Sequence, residues 1–155
     1  MDFLLAWNND AQSADWAFDG NDLVTDDSLR SAVVISLGTD RLAEATDVIP
    51  DGSNNRRGWW GDMPLDGQAA AGKPDLIGSR LWLLRRATQT ERTERLAEQY
   101  CREALAWLIE DGVAAKVDVS ARWLDRGYLG ATIGIYRTAG AAQPDHTFDF
   151  AWSAL

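Results

Sequence analysis

The residues of this chain that are able to do chemistry are few, and they do not form a known catalytic arrangement. His146 is the only histidine and Cys101 the only cysteine among 155 residues. A Ser–His–Asp triad needs a nucleophile beside its histidine, and the sequence contains no G-x-S-x-G motif. His146 lies in an alternating, strand-like pattern, and Cys101 lies on the apolar side of a helical pattern. We therefore predict a structural or surface histidine and a small core cysteine rather than an active site.

The carboxylates also fall short of a binding or catalytic motif. Asp15, Asp19, Asn21 and Asp22 resemble the start of a calcium-binding EF-hand loop, but the full spacing of that loop is not met. The sequence contains no Walker loop and no G-x-G-x-x-G motif for a nucleotide. An acidic chain always permits a carboxylate pair for glycoside hydrolysis, but nothing in the sequence places two acids together. We predict no enzyme activity, no metal and no cofactor.

Tryptophan is the more informative residue type. The chain contains eight tryptophans, and this residue is enriched both in protein cores and at the centres of protein–protein interfaces. Two of them stand in the segment N-N-R-R-G-W-W-G-D, in the middle of an irregular stretch with glycine and proline at 39–74. Four of its side chains form a candidate surface for binding another protein: Arg56, Arg57, Trp59 and Trp60. The alternative is that the two tryptophans cover the core as a lid.

Two short helices and a hairpin are predicted in the first half of the chain. Asp19-Gly20-Asn21-Asp22 between two short apolar runs is typical of a β-hairpin turn. The first helix is expected to begin at a cap, Asp26 or Asp27, and to end near Gly38, with three apolar residues at helical spacing: Leu29, Val33 and Leu37. The second is expected over 76–86, after a candidate cap at Asp75.

The strongest helical pattern follows this second helix. Thr88 and Glu91 form a capping box, and the helix is expected to run to Asp111 and to end at Gly112. Its apolar stripe includes Trp107. The opposite side is expected to face solvent and to carry charges four residues apart, among them Glu91, Glu94, Arg95, Glu98 and Arg102.

After this helix the hydrophobic period changes from 3.6 to 2. Residues 116–123 and 128–136 alternate on either side of an Asp-Arg-Gly turn, which predicts an antiparallel hairpin. Gly130 and Gly134 share one face and leave room for a neighbouring backbone to approach closely. A last alternating stretch places four rings on one side: His146, Phe148, Phe150 and Trp152. This strand either closes the sheet or is donated to another subunit.

These elements predict an α+β fold. We expect a small antiparallel or mixed sheet packed against one long helix and one or two short helices. We expect them to form a single domain of residues 1–155, with the irregular loop at 39–74. A chain of this length buries about 70% of its unfolded surface and needs no disulfide or metal to fold.

Charge and hydropathy exclude several classes of protein. The net charge of −9 falls entirely within residues 1–79, and such an acidic half repels nucleic-acid phosphates. The apolar runs are far shorter than the ~20 residues of a membrane span, and the first residues lack the features of a secretion signal. A single cysteine suits a reducing cytoplasm. We predict no nucleic-acid or membrane partner; the acidic half is either a solubilising surface or a docking surface for a basic partner.

Four features in order resemble a known family. They are RRGWWGD (Arg56 to Asp62), GSRLWLLR (Gly78 to Arg85), the helix end EALAWLIEDG (Glu103 to Gly112), and a V-x-V hairpin strand (Val117, Val119). Over roughly residues 20 to 140 the chain resembles the gene product forty-six family of Mu-like phages, a family of tail baseplate proteins. That family is similar in turn to the small wedge protein of T4-type baseplates, which resembles the C-terminal domain of the tail sheath subunit.

The resemblance implies a structural wedge component in the baseplate of a contractile tail, made and assembled in the host cytoplasm. Its implied partners are other wedge proteins, the tail sheath and the central hub or tube. It is implied to be present in six copies or a multiple of six and to seed sheath assembly. In T4-type relatives a Trp-Glu-Pro-Arg segment at the end of the long helix binds a larger wedge protein. Here Trp107 matches the tryptophan, Glu110 matches the glutamate after a two-residue slip, and the Pro-Arg is absent.

Two other functions use the same composition. A carbohydrate-binding module also exposes tryptophans, and a small cell-wall hydrolase of the tail would need a carboxylate pair.

Overall fold

The computed structural model describes residues 2–26, 29–62 and 76–154. The strands described are β1 (Asp2–Phe3), β2 (Leu5–Asn8), β3 (Ser13–Trp16), β4 (Phe18–Asp19), β5 (Asp22–Leu23), β6 (Thr25–Asp26), β7 (Lys116–Asp125), β8 (Tyr128–Tyr136) and β9 (His146–Ser153). The helices are α1 (Arg30–Gly38), α2 (Glu91–Ala104) and α3 (Trp107–Glu110), with 3₁₀ turns at Trp60–Asp62 and Leu81–Leu84. The predicted α+β fold is confirmed.

Residues 2–26 form three short antiparallel ladders, which we call the N-terminal β-unit. β1 pairs with β6, β2 with β3, and β4 with β5. The β4–β5 pair is the predicted hairpin, and Gly20 provides the positive φ of 64° that its turn requires. Leu4, Ala17 and Val24 join the three ladders, because their backbones donate to one another over 2.7 to 2.9 Å.

Helix α1 is present as predicted, but its start differs. Leu29, rather than an aspartate, occupies the N-cap, with a left-handed φ of 65° and no side-chain capping bond. Of the two aspartates expected there, Asp27 lies outside the described residues, and Asp26 ends β6 instead. Val33 and Leu37 are buried, so the apolar face of the helix was predicted correctly.

The second short helix was predicted wrongly. Only the 3₁₀ turn Leu81–Leu84 forms in this part of the chain, and the candidate cap Asp75 lies outside the described residues. Ser79, just before this turn, instead pairs in parallel with Asp40. The amide of Ser79 donates to the Thr39 carbonyl at 2.9 Å, and that of Arg41 donates to the Ser79 carbonyl at 3.0 Å. These bonds between distant segments outweigh the local helical preference.

Helices α2 and α3 together span residues 91–110 and form the long helix expected from the apolar stripe. Thr90, not Thr88, is its N-cap, and its hydroxyl accepts from the amide of Thr93 at 3.3 Å. The helix tightens at Leu105, where φ is −102° and ψ is 5°, before α3 continues. Gly112 follows with a φ of 71°, so the predicted stop is confirmed. None of the helices described is long and apolar enough to cross a membrane.

Strands β7, β8 and β9 form one antiparallel sheet with β8 in the centre. The predicted hairpin turn at Asp125–Gly127 joins β7 to β8. β9 pairs with β8 of the same chain, from His146–Ile135 to Ser153–Tyr128. The last aromatic strand is therefore an outer strand of this chain's own sheet. One face of the sheet packs against the helices, and the opposite face carries Gly130 and Gly134.

Helix α2 lies along β7 and covers its free edge with side chains. Glu94 accepts from the amide of Trp123 at 3.0 Å, and Glu98 accepts from the amide of Ala121 at 3.1 Å. Arg102 donates to the Val119 carbonyl at 2.7 Å. The prediction that these charges face solvent was therefore wrong for Glu94 and Glu98, which are half-buried, whereas Arg102 remains 49% exposed. Side chains that cover an edge strand prevent it from pairing with another chain.

The core lies between the sheet and the helices. Its most deeply buried side chains, with under 2% exposure, include Val33, Cys101, Leu105, Leu108, Leu129, Ile133 and Ile135. Each such aliphatic side chain contributes about 1.5–3 kcal/mol through its removal from water. Burial raises the pKa of the Cys101 thiol to about 12. The thiol is therefore protonated and unreactive at neutral pH, as expected of a core cysteine.

Candidate protein-interaction site

The two arginines of the tryptophan-containing loop bind within the chain. The guanidinium of Arg56 donates to the carbonyl of Ala43, whose amide donates back to the Arg56 carbonyl at 2.9 Å. Arg57 pairs with Asp40 at 2.5 Å and lies over the ring of Trp82, 4.5 Å from its centre. Both side chains hold the loop against the body of the protein, and a further role for them in an interface stays a prediction.

A buried arginine that the sequence did not single out fixes the other side of the loop. Arg80 is only 7% exposed and donates to Glu103 at 2.9 Å and to Asp47 at 3.1 Å. Its guanidinium lies 4.7 Å from the centre of the Tyr100 ring. Burial alone would lower the pKa of Arg80, but the hydrogen bonds and charges of Asp47 and Glu103 outweigh it and raise that pKa. Arg80 therefore ties residues 39–62 to α2.

Trp59 and Trp60 are both at the surface. Trp59 is 41% exposed and Trp60 is 77% exposed, and their rings lie 5.2 Å apart. A Cβ atom at Gly61 would lie 2.1 Å from the Trp59 ring, so only glycine fits beneath that ring. With so much of both rings exposed, the surface interpretation is favoured over the lid for Trp60, and Trp59 covers the body only in part.

Trp59 and Trp107 both line a groove of about 620 Å³ between α1, α3 and the loop. We call this the tryptophan groove; its lining includes Ile35, Trp59, Asp62, Gly78, Trp107 and Glu110. The indole N–H of Trp107 donates to the Ser36 hydroxyl at 3.1 Å, which fixes the ring against α1. Three of the predicted site residues, Trp59, Trp107 and Glu110, are thus brought together from segments about fifty residues apart.

The glycines of the outer sheet face are approached by side chains of the same chain. A Cβ atom at Gly130 would lie 2.6 Å from Leu124, and one at Gly134 would lie 3.3 Å from Pro144. The space that these glycines leave is therefore filled from within the molecule. An intermolecular contact at Gly130 and Gly134 stays a prediction.

Two of the aromatic rings of β9 belong to the core of this chain. Phe150 and Trp152 are buried, and Trp7 of the N-terminal β-unit stacks on Phe150 with ring centres 4.3 Å apart. Phe148 is half-buried beneath Arg30, whose guanidinium lies 5.7 Å from the ring centre. An intermolecular role for Phe148, Phe150 and Trp152 stays a prediction.

The free edge of β9 is covered over only half of its length. The amide of Ala151 donates to Asn9 at 3.0 Å, that of Ser153 donates to Gln12 at 2.7 Å, and the Ala151 carbonyl accepts from the Trp7 indole at 3.1 Å. Alternation along the strand points the amides of Thr147 and Asp149 to the same free side. Within the described part of the chain these two amides have no hydrogen-bond partner.

No catalytic or metal-binding set is assembled within residues 2–26, 29–62 and 76–154. No three His, Cys, Asp or Glu side chains there are placed to hold a metal ion. His146 stacks with Phe148, with ring centres 6.2 Å apart, and belongs to β9. In the same residues, exposed tryptophans lie beside a groove and one strand edge is partly open, and both features are typical of surfaces that bind other proteins.

Comparison with known proteins gives the family. The model of the family described as Phage protein GP46 matches residues 29–142, and the chain belongs to this family. It is 43% identical to the baseplate protein gp46 of Escherichia phage Mu over 143 residues, which are 92% of each chain. It is 35% identical to the Mu-like prophage FluMu protein gp46 of Haemophilus influenzae over 152 residues, or 98% of each chain. The family resemblance inferred from the sequence is confirmed.

Proposed function

We propose that this chain is a structural component of the baseplate of a contractile phage tail, and not an enzyme. The observation that carries this proposal is its 43% identity over 92% of both chains to a protein named as a baseplate protein of phage Mu. In finer terms, we propose a wedge component in six copies or a multiple of six. Its proposed partners are other wedge proteins, the sheath and the hub or tube.

The proposal is tested in cells that produce the tail without this chain. We expect no complete baseplates and no extended sheaths in electron micrographs, and wild-type chain supplied in trans should restore both. Tails of normal appearance in the absence of the chain would contradict the proposed function.

The tryptophan groove is the proposed contact with a larger wedge protein. It combines an exposed ring, Trp59, with the ring of Trp107 and the carboxylate of Glu110. Aromatic side chains at the rim of a concave surface are typical anchors of protein interfaces, because each removes a large area from water at low entropic cost.

Trp59→Ala and Trp107→Ala are each expected to weaken binding of the purified wedge partner by about tenfold or more, since a buried aromatic anchor contributes about 2 kcal/mol or more. Calorimetric titration measures the change. Val48→Ala is the control, because Val48 is 86% exposed and lies outside the groove. The melting temperature of each variant shows that it is folded. Affinities within twofold of wild type for both tryptophan variants would exclude the groove as the binding site for this partner.

The open half of the β9 edge is the proposed contact with a strand of the sheath or of a neighbouring wedge protein. The amides of Thr147 and Asp149 face outward, whereas Asn9 and Gln12 occupy the rest of the edge. Strand addition is therefore limited to the first half of β9.

Thr147→Pro is expected to reduce assembly of extended sheaths strongly, because proline removes one outward amide while the ladder to β8 is kept. Thr147→Ala is the matched control, since it removes the side chain and retains the amide. Counts of sheathed tails in complemented cells measure the effect. Equal sheath numbers for the two variants, with both folded, would argue against strand addition at this edge.

A further inference from the structure

The N-terminal β-unit exposes three aromatic rings that its own fold does not bury. Phe3 is 50% exposed, Trp16 52% and Phe18 64%. The rings of Phe3 and Trp16 meet edge to face with centres 6.3 Å apart, and Phe18 lies two residues beyond Trp16. We call these three residues the aromatic patch. Large apolar side chains clustered at a surface mark a site of interaction.

The N-terminal β-unit carries charged residues of one sign only. Residues 1–29 contain seven aspartates and no lysine, arginine or histidine. Asp15 and Asp19 flank the patch in sequence, and Asp19 stands directly opposite Asp22 across the β4–β5 ladder. Within the described residues, no cation lies within ion-pair distance of any of these three carboxylates. Like charges opposite each other destabilise a ladder, and a cation from outside would relieve that repulsion.

The same combination of ring and carboxylate binds arginine elsewhere in this chain. Arg57 lies over the Trp82 ring and pairs with Asp40. Arg80 lies over the Tyr100 ring and donates to Asp47. Guanidinium groups favour such places because they stack on aromatic faces and form ion pairs at the same time. The aromatic patch offers exposed rings, with Asp15 and Asp19 next to two of them in the sequence, and no arginine of this chain lies over these rings within the described residues.

The N-terminal β-unit is held firmly enough to present this surface. The amide of Leu5 donates to Ser31 of α1 at 2.9 Å, and the Ser31 hydroxyl donates to the Phe3 carbonyl at 3.0 Å. Trp7 anchors the other end by its stacking on Phe150. A surface fixed on the body of a protein loses little entropy when a partner binds. The patch also precedes residue 29, where the match to the family model begins.

We propose that the aromatic patch docks an arginine-bearing segment of another protein of the same tail. This proposal rests on the proposed baseplate function, because that function is the reason for expecting the partner among the proteins of the same tail. The guanidinium stacks on Trp16 or Phe18 and pairs with Asp15, Asp19 or Asp22, and apolar side chains beside it cover Phe3. This contact is separate from the tryptophan groove and from the edge of β9.

The test uses the full chain and the purified baseplate and sheath proteins of the same tail as individual probes in calorimetric titrations. We expect one probe to bind, and its affinity to fall at least tenfold for Trp16→Ala, a loss typical of an aromatic anchor. The double change Asp19→Lys and Asp22→Lys should cause a similar loss. Wild-type affinity should also decrease between about 50 and about 300 mM NaCl, because salt screens exposed ion pairs. Asp51→Lys is the charge control, since Asp51 is exposed and outside the patch.

Several results would contradict the proposal that the aromatic patch is a docking surface. The first is an affinity within twofold of wild type for both Trp16→Ala and the aspartate double variant. The second is that no probe binds the wild-type chain. The third is that both variants assemble tails as well as wild type does. A dimer of wild-type chain that is lost in Trp16→Ala would assign the patch to a second copy instead. Heat of calcium binding that is lost in the aspartate double variant would assign it to a cation. Normal tails without the chain would instead reject the baseplate function itself, so the two failures are distinguishable.

Discussion

Arg80→Met is expected to lower the free energy of unfolding by about 3–5 kcal/mol, the usual cost of breaking a buried ion pair on one side. Methionine keeps most of the packing volume over Tyr100. The change in the free energy of unfolding therefore reports the loss of the charge and its hydrogen bonds. Without the guanidinium, Asp47 and Glu103 lose a donor at 3.1 and 2.9 Å. The third carboxylate, Glu44, is 62% exposed at 3.5 Å and contributes little.

The control for this variant is Arg95→Met on the exposed side of α2. Arg95 pairs with Glu91 at 2.9 Å, but their side chains are 77% and 82% exposed. We expect a change of about 0.5 kcal/mol or less for that pair. Urea unfolding followed by tryptophan fluorescence measures both variants. If Arg80→Met costs no more than Arg95→Met, Arg80 does not hold the loop to α2.

The raised pKa of Arg80 sets the pH range of this stabilisation. A cation whose pKa is higher in the folded state contributes stability below its unfolded pKa and loses it only above that value. For an arginine this loss lies far above neutral pH, so Arg80 remains charged at neutral pH. Because Arg41 and Glu103 also line the tryptophan groove, release of Arg80 should disturb the groove as well.

The sequence predicted those elements whose pattern is local. The alternation of β7, β8 and β9 and the apolar stripe of α2 depend on neighbouring residues, and each was predicted nearly to its ends. Errors arose where a hydrogen bond to a residue distant in the sequence determines the local conformation or the exposure of a side chain. Glu98 resembles a solvent-facing helix residue, but it binds an amide 23 residues away. Ser79 lies in a helix-like run, but it pairs with Asp40 from the end of α1.

The site was predictable only in part for the same reason. Trp59, Trp107 and Glu110 were singled out by type and by family resemblance, and the fold brings them to one groove. No sequence pattern distinguishes Trp60, which is 77% exposed, from Trp152, which is 9% exposed. Arg80 was missed because its carboxylate partners come from two separate segments. An arginine inside an apolar run, as in G-S-R-L-W-L-L, is the one signal that could have indicated it.

Gly78→Ala is expected to cost about 3–4 kcal/mol, from two separable sources. Gly78 has a φ of 97°, where a side chain costs about 1–2 kcal/mol. An added Cβ atom would also lie 2.4 Å from the Thr39 carbonyl oxygen, which accepts the Ser79 amide. Because that oxygen is backbone, it cannot move without weakening the two bonds of the Asp40–Ser79 bridge, each contributing about 1 kcal/mol.

Gly52→Ala separates the two sources. Gly52 has a similar positive φ of 70°, but an added Cβ atom there has no neighbour within 4 Å. We expect a loss of about 1–2 kcal/mol from backbone strain alone. The difference between the two variants in urea unfolding therefore measures the close approach at Gly78; equal losses would contradict it. Since Gly78 lines the tryptophan groove, Gly78→Ala should also weaken binding of the proposed wedge partner, whereas Gly52→Ala should not.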